Sequence, residues 1–308
     1  MTTQPEPAVR LLNVSRWYKD VVAVNDISFD FQPGVTGVLG PNGAGKSTIL
    51  HMLAGFLRPS SGEVHVLGQP AWGSPALFRR VGLVPESEAV YSFLSAREFA
   101  LASARLHGLP NPEAAADIAI AHVELQADQD RPMRGYSKGM RQRAKIAASL
   151  VHEPDVLILD EPFNGTDPRQ RLQLMELLRR MAAEGRTIIF SSHILEEVER
   201  LADEVLVILA GRLAASGDFH AIRRLMTDRP HTFNVRSTDD RRLAALLIRR
   251  ADVSGVTLDG ERMEVRSTDF AAFTAGIATA VRESGTTLLE LSPSDESLES
   301  VFSYLVHQ

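Results

Sequence analysis

The sequence has no cysteine among its 308 residues. That excludes a disulfide scaffold, a cysteine-ligated zinc site and a cysteine nucleophile. It also lacks any apolar run of the ~18 residues that a membrane span needs. If the protein acts at a membrane, another chain is expected to cross it. An excess of basic charge is missing as well: 33 Lys and Arg stand against 39 Asp and Glu, a net charge of −6. Nucleic acid is therefore not expected as a partner, because phosphate backbones select basic surfaces. Met1 to Glu6 is polar and shows no secretory h-region. What is present is ordinary for a globular chain: 44% hydrophobic residues, and a length that suggests about two domains.

Two regions differ in pattern. Residues 8–220 alternate short apolar runs with helical stretches. Val35 to Leu39, Val156 to Leu159, Thr187 to Phe190 and Val205 to Leu209 read as strands covered on both faces, which suits a parallel sheet. Leu172 to Met181 and Ile194 to Leu201 read as helices between them. From about residue 90 to 150 the chain is helical. Ser95 to His107 is one helix and Pro112 to Val123 another, with Asn111 as N-cap and Pro112 at the first helical position. The expectation is an α/β domain with an inserted helical subdomain. After a polar connector at 221–229, residues 230–308 show strand, helix, strand, an Asp259-Gly260 turn, strand, helix, strand. That βαββαβ order is ferredoxin-like, and a last helix is expected over Asp295 to Val306.

Two motifs carry chemistry. Gly40-Pro41-Asn42-Gly43-Ala44-Gly45-Lys46-Ser47 fits G-x-x-x-x-G-K-[ST], between a strand ending at Leu39 and a helical pattern beginning near Ile49. Glycines let the backbone turn its N–H groups onto a phosphate, and the helix N-terminus adds positive potential. Lys46 would reach β- and γ-phosphates, and the Ser47 hydroxyl would ligate Mg²⁺. The second motif is the strand Val156 to Leu159 followed by Asp160-Glu161. Ligands of open α/β sheets lie at the carboxyl ends of strands. Asp160 there would hold Mg²⁺, directly or through water, and Glu161 would orient or deprotonate the attacking water.

Further residues carry a family resemblance. Tyr136-Ser137-Lys138-Gly139-Met140-Arg141-Gln142, Gly165-Thr166-Asp167-Pro168 and His193 follow in order along the chain. With the two motifs above, the ensemble resembles the nucleotide-binding subunits of ABC transporters over residues 8 to about 220. The resemblance implies a P-loop NTPase cassette: a RecA-like α/β core, an antiparallel β subdomain and a helical subdomain. It implies ATP as substrate and Mg²⁺ as cofactor. Tyr18 would stack on adenine, and Gly40, Asn42, Gly43, Ala44, Gly45, Lys46, Ser47 and Thr48 would cradle the phosphates. Glu161 would be the catalytic carboxylate, His193 the switch histidine and Asp167 the D-loop acid. Ser137, Lys138, Gly139 and Met140 would be the signature, facing the γ-phosphate held by a second subunit, identical or a paralogue. Ser137 is a good N-cap, and Met140, Ala144, Ala147 and Val151 would form one face of the helix it starts. Glu86 stands where the family usually has Gln contacting Mg²⁺ and water, on a loop that meets the membrane-spanning permease. A carboxylate there can ligate Mg²⁺, yet it adds negative charge near the γ-phosphate.

The Pro-Glu at 85–86, the Ser-Lys-Gly-Met signature and Ser297 to Phe302 resemble one bacterial branch, mostly exporters of drugs, lipids, ions or other small molecules. The implied protein is an ATPase subunit peripheral to the cytoplasmic face of the membrane. Two other readings keep the ATPase: a non-transport ABC protein, or a weakly hydrolysing subunit paired with an active paralogue. A third reading is a serine hydrolase. Gly135 to Gly139 matches G-x-S-x-G, with Ser137, Asp160 and His193 in hydrolase order. That elbow needs a strand immediately before it, and polar Asp128 to Arg134 with Pro132 is a poor one. Arg141, Arg143 and Lys145 read as a solvated helix face, as do Arg241-Arg242 and Arg249-Arg250.

Overall fold

The computed structural model describes residues 7–87, 90–218, 231–259 and 262–293. The chain divides after Asp218 into two compact units. The connector at 221–229, Gly260 of the expected turn and the expected helix Asp295 to Val306 lie outside the described residues.

The first unit begins with an antiparallel sheet of β1 (Val9–Tyr18), β2 (Val21–Phe31), β4 (Ser61–Val66) and β5 (Gln69–Pro70), in the order β2-β1-β4-β5. Its β1–β2 pairing shifts register past Leu11, where Asn13 takes φ 46° and, across the pair, Asp26 takes φ 52°. Asn13 Nδ2 donates to Asp26 Oδ1 at 3.1 Å. Asn and Asp are the residues that accept left-handed backbone most readily after Gly, so the two support a bulge.

The second sheet holds β3 (Gly34–Leu39), β6 (Val81–Val84), β7 (Val156–Leu159), β8 (Thr187–Ser192), β9 (Glu204–Leu209) and β10 (Arg212–Gly217). Its order is β10-β9-β3-β8-β7-β6. All neighbours are parallel except the β9–β10 hairpin at the edge. Every residue of β7 and β8 is buried, as their unbroken apolar runs require of a sheet covered twice. Helix α1 (Lys46–Leu53) lies in the core that joins the two sheets, with Ile49, Leu50 and Met52 among Val9, Ile27, Ile158, Ile189 and Leu206.

The β9–β10 turn is Ala210-Gly211, with φ 47° and 77°, the two positive values that a two-residue hairpin favours. Gly211 N–H donates to the Ala44 carbonyl at 3.0 Å, and the Gly211 carbonyl accepts from Asn25 N–H at 2.7 Å. A Cβ at Gly45 or at Gly211 would strike the same carbonyl, that of Ala23 in β2. Hairpin tip, glycine-rich loop and β2 are thus bolted together at one point.

The helical subdomain is α2 (Ala96–Leu106), α3 (Pro112–His122) and α4 (Lys138–Leu150). Ser95 and Glu98 form a reciprocal capping box on α2. Ala96, Ala100 and Ala104 of α2 are buried at spacings of four, and Ala116, Ala119 and Ile120 of α3 are buried at spacings of three and one. Small side chains on facing stripes let the helix axes come close. Helix α5 (Pro168–Ala183) precedes β8, and α6 (Leu195–Leu201) precedes β9.

The second unit is β11 (His231–Ser237), α7 (Asp240–Leu247), β12 (Val253–Asp259), β13 (Arg262–Ser267), α8 (Phe270–Ser284) and β14 (Leu288–Pro293). This is the βαββαβ order expected of it. The sheet is antiparallel throughout, in the order β12-β13-β11-β14. Phe233, Val235, Leu243, Leu247, Met263, Val265, Phe273 and Ile277 form its core. Asp239 and Asp269 cap the two helices.

Candidate functional site

Four strands of the parallel sheet end at one edge and deliver the chemistry there. After β3 the glycine-rich loop turns into α1, with Gly43 at φ 82° and Gly45 at φ 105°. After β6 comes Glu86, after β7 Asp160-Glu161, and after β8 His193. Asn42, Gly43, Gly45, Lys46, Ser47, Thr48, Glu86, Glu161, Asn164 and His193 line one cavity of about 390 Å³. Ala23 of β2 lines it too.

Glu161 is the centre of this arrangement. It is 7% exposed, and its Oε2 lies 2.9 Å from His193 Nδ1. Its Oε1 lies 3.5 Å from Lys46 Nζ. With Glu161 ionised, the proton of that imidazole contact sits on Nδ1. The Glu161 backbone is left-handed, φ 49°, a conformation that costs a non-glycine residue free energy and clusters at functional sites. Lys46 is buried and donates to the carbonyls of Gly40 at 2.8 Å and Pro41 at 3.3 Å. Its ammonium is therefore held at the mouth of the glycine-rich loop.

Asp160 is 2% exposed and is not among the lining residues of the cavity. Its Oδ1 accepts from Ser191 Oγ at 2.6 Å, and that same Oγ accepts from Glu161 N–H at 2.9 Å. One hydroxyl thus orders both acids. Sequence reasoning missed Ser191. The signal was available in the pairing: β7 and β8 run parallel with Leu159 opposite Phe190, so the next residues, Asp160 and Ser191, are neighbours. Asn164 and Ala23 were missed as well, and no motif marks them.

The other expected residues lie elsewhere in the unit. Tyr18 closes β1, is 44% exposed and carries the Arg16 guanidinium over its ring at 4.7 Å. It does not line the cavity. Ser137 caps α4 by accepting from Met140 N–H at 3.2 Å. The Lys138 side chain packs over Gly165, and Gln170 packs over Gly139, so the signature rests on the segment that carries Asp167. Asp167 caps α5, accepting from Gln170 N–H at 2.9 Å. None of Ser137 to Met140 lines the cavity with Lys46. The turn before Ser137 is a short 3₁₀ segment, Met133–Gly135, and not the strand that a hydrolase elbow needs.

One expectation about α4 is corrected. The face of Met140, Ala144, Ala147 and Val151 is found, with the last three buried, and Gln142, Lys145, Ile146, Ala148 and Ser149 are buried beside it. Its basic residues are not the solvated face expected of them. Arg141 donates to the Tyr136 carbonyl, and Arg143 donates to the carbonyls of Val123 and Glu124. Burial pushes the Arg143 guanidinium down from its ordinary value. Helix α4 is packed between other elements, and its cations serve as internal donors. In the second unit Arg250 is likewise engaged, donating to both carboxylate oxygens of Asp252.

Comparison with known proteins agrees with this geometry. The family model described as "ABC transporter" matches residues 24–164. The Nod factor export ATP-binding protein I of Rhizobium leguminosarum bv. viciae is 36% identical over 82% of this chain and 83% of its own length. The chain belongs to the ABC transporter family.

It is an ATP-binding subunit of that family, and its chemistry is that of an ATPase. The protein of the same name from Sinorhizobium fredii is 38% identical over 71% of this chain, which spans 65% of that relative's length. A solved ATP-binding subunit of an ABC transporter superposes with a TM-score of 0.65, at 28% identity, covering 71% of this chain and 92% of that one. CbiO1 of Clostridium perfringens, part of the ABC transporter complex cbiONQ, superposes with a TM-score of 0.63 at 30% identity, covering 71% of this chain and 94% of that one. Among the described residues, no helix of this ABC subunit is long and apolar enough to cross a membrane.

Proposed function

We propose that this ABC subunit powers a separate membrane-spanning permease, that it works at the cytoplasmic face of the membrane, and that the transport is export of a small molecule, lipid, drug or ion. The observation that carries the motor reading is the placement of Glu161 between Lys46 and His193 in one cavity. The names of the relatives, which are export proteins, support the direction of transport.

Each residue then has a task. The backbone from Gly40 to Ser47, with Thr48, binds the phosphate chain, and Lys46 neutralises it. Glu161 accepts a proton from the attacking water at its carboxylate. His193 Nδ1 fixes the Glu161 oxygen and puts the imidazole beside the reacting phosphate. Burial of Glu161 and Lys46 strengthens both interactions, because water does not screen them there.

The donor set suits a hard cation: Ser47 and Glu86, which line the cavity, offer oxygen ligands, and Asp160, outside that lining, would reach the ion through water. When bound, Mg²⁺ would supply charge neutralisation on the phosphate oxygens.

Ser137 to Met140 lie outside the cavity with Lys46, and we assign them to the nucleotide of a second subunit, identical or a paralogue. Two subunits would close on two ATP molecules and part after hydrolysis. Tyr18 is assigned to the adenine ring.

Glu161→Gln tests the reading. Turnover should fall by about 10²–10⁴-fold, the range for loss of a general base, while ATP binding persists and the closed dimer accumulates. Undiminished turnover would remove Glu161 from its role. The same variant, tagged and incubated with detergent-solubilised membranes and Mg·ATP, should retain a multi-span membrane protein. Recovery of ribosomal or repair components alone would move the ATPase to the non-transport branch.

A further inference from the structure

Lys145 lies in the third turn of α4 and is 6% exposed. A lysine is almost never buried to that degree without partners. Its ammonium donates to the carbonyl of Pro85 at 2.7 Å and to that of Ser87 at 2.8 Å. Those two residues flank Glu86, which lines the cavity with Lys46 and Ser47. A single cation therefore pins both feet of a short backbone arch with Glu86 at its apex. Pro85 has no N–H of its own to anchor the chain as it leaves β6. Lys145 also lines a mostly apolar cavity of about 550 Å³, together with Phe56, Phe78, Leu94 and Phe99.

The same helix starts at Ser137. Eight residues separate Ser137 from Lys145, about 12 Å along a helix that rises 1.5 Å per residue. A rigid rod so short transmits a shift at its N-terminus to the arch. We propose that Lys145 is a positioning residue. It holds Glu86 at the metal-facing edge of the site and ties that placement to the signature at the head of α4. The proposal rests on the assignment of Glu86 to the metal.

The test is a double-mutant cycle on the full chain with a non-hydrolysable ATP analogue. Mn²⁺ binding is read by electron paramagnetic resonance, and analogue binding in EDTA by fluorescence. Lys145→Met should weaken Mn²⁺ binding about tenfold, the low end for residues that orient a metal ligand, and leave analogue affinity in EDTA unchanged. In a Glu86→Ala background, Lys145→Met should add nothing further. Equal weakening in both backgrounds would show a general structural role and overturn the proposal. If Glu86→Ala weakens Mn²⁺ and Lys145→Met does not, the proposal falls and the Glu86 assignment stands. If Glu86→Ala leaves Mn²⁺ binding intact, both fall together. Should Lys145→Met lose analogue binding in EDTA, Lys145→Gln takes its place in the cycle and is judged by the same outcomes.

Discussion

The two units use the same ingredients, strands and helices around an apolar core, yet among the described residues only the first gathers chemistry. The reason is strand direction. In the first unit β3, β6, β7 and β8 are parallel. Their carboxyl ends open onto the same edge, where the glycine-rich loop, Glu86, Asp160-Glu161 and His193 meet. In the second unit each strand runs against its neighbour. Its strand ends alternate between two edges, so no edge collects the residues that follow every strand. The loops of the second unit carry caps instead, Asp239 and Asp269. Parallel order concentrates function; antiparallel order distributes it.

The largest expected effect tests that concentration directly. Lys46→Met removes the charge that faces Glu161 and the phosphates, and ATP turnover should fall by about 10²–10³-fold, as for loss of a transition-state donor. A steady-state assay that finds turnover within tenfold would break the comparison. In the second unit, Phe273→Ala empties a fully buried ring position and should cost about 3–5 kcal/mol of that unit's stability. Urea unfolding measures the loss, and turnover of the folded chain should stay within twofold. A parallel loss of turnover would show that the second unit does share in the chemistry.

A smaller effect is expected at Ser191. Ser191→Ala removes the hydroxyl that orders both acids, and turnover should drop about tenfold with little change in KM. An increase in KM alone would mean that the hydroxyl serves binding and not the chemical step.

The smallest is a pH term confined to the first unit. His152 stacks on His107 with ring centres 3.8 Å apart. Burial, with His107 beside it, pushes the His152 imidazole down to about 4. Its folded value is below that of the unfolded chain, about 6.5. The folded state therefore binds fewer protons, and stability is full above pH 6.5 and declines as pH falls toward 4. Because the ring is partly exposed, the loss at pH 5.5 should be about 1 kcal/mol or less. His152→Gln should flatten the slope of urea midpoints between pH 7.5 and 5.5. An unchanged slope would assign it to other groups.

Legibility in the sequence followed the same divide. Buried parallel strands announce themselves as unbroken apolar runs, and Val156–Leu159 is found at the residues expected for it. The loop and acid motifs sit next to those runs, so the cavity was foreseeable. In the second unit the expected alternation of strands and helices is the one found, from β11 to β14. What escaped depends on register or on tertiary contact. Ser191 acts through its pairing partner strand, which no local pattern records. The bulge at Asn13 breaks the alternation of β1, so that strand has no clean signal. Arg143 and Lys145 look like surface charge because their acceptors are carbonyls distant in sequence.

The bolt at the Ala23 carbonyl has a genetic consequence. Gly45 and Gly211 stand 166 positions apart, and a single added carbon at either would collide with the same oxygen while forcing left-handed backbone on a side chain. In a saturation library selected for ATP-dependent growth, both codons should return glycine alone. No single change at either should rescue a substitution at the other, since each collision is with a backbone atom that mutation cannot remove. Two distant codons would thus be silent together, a constraint that one point of contact writes twice into the gene.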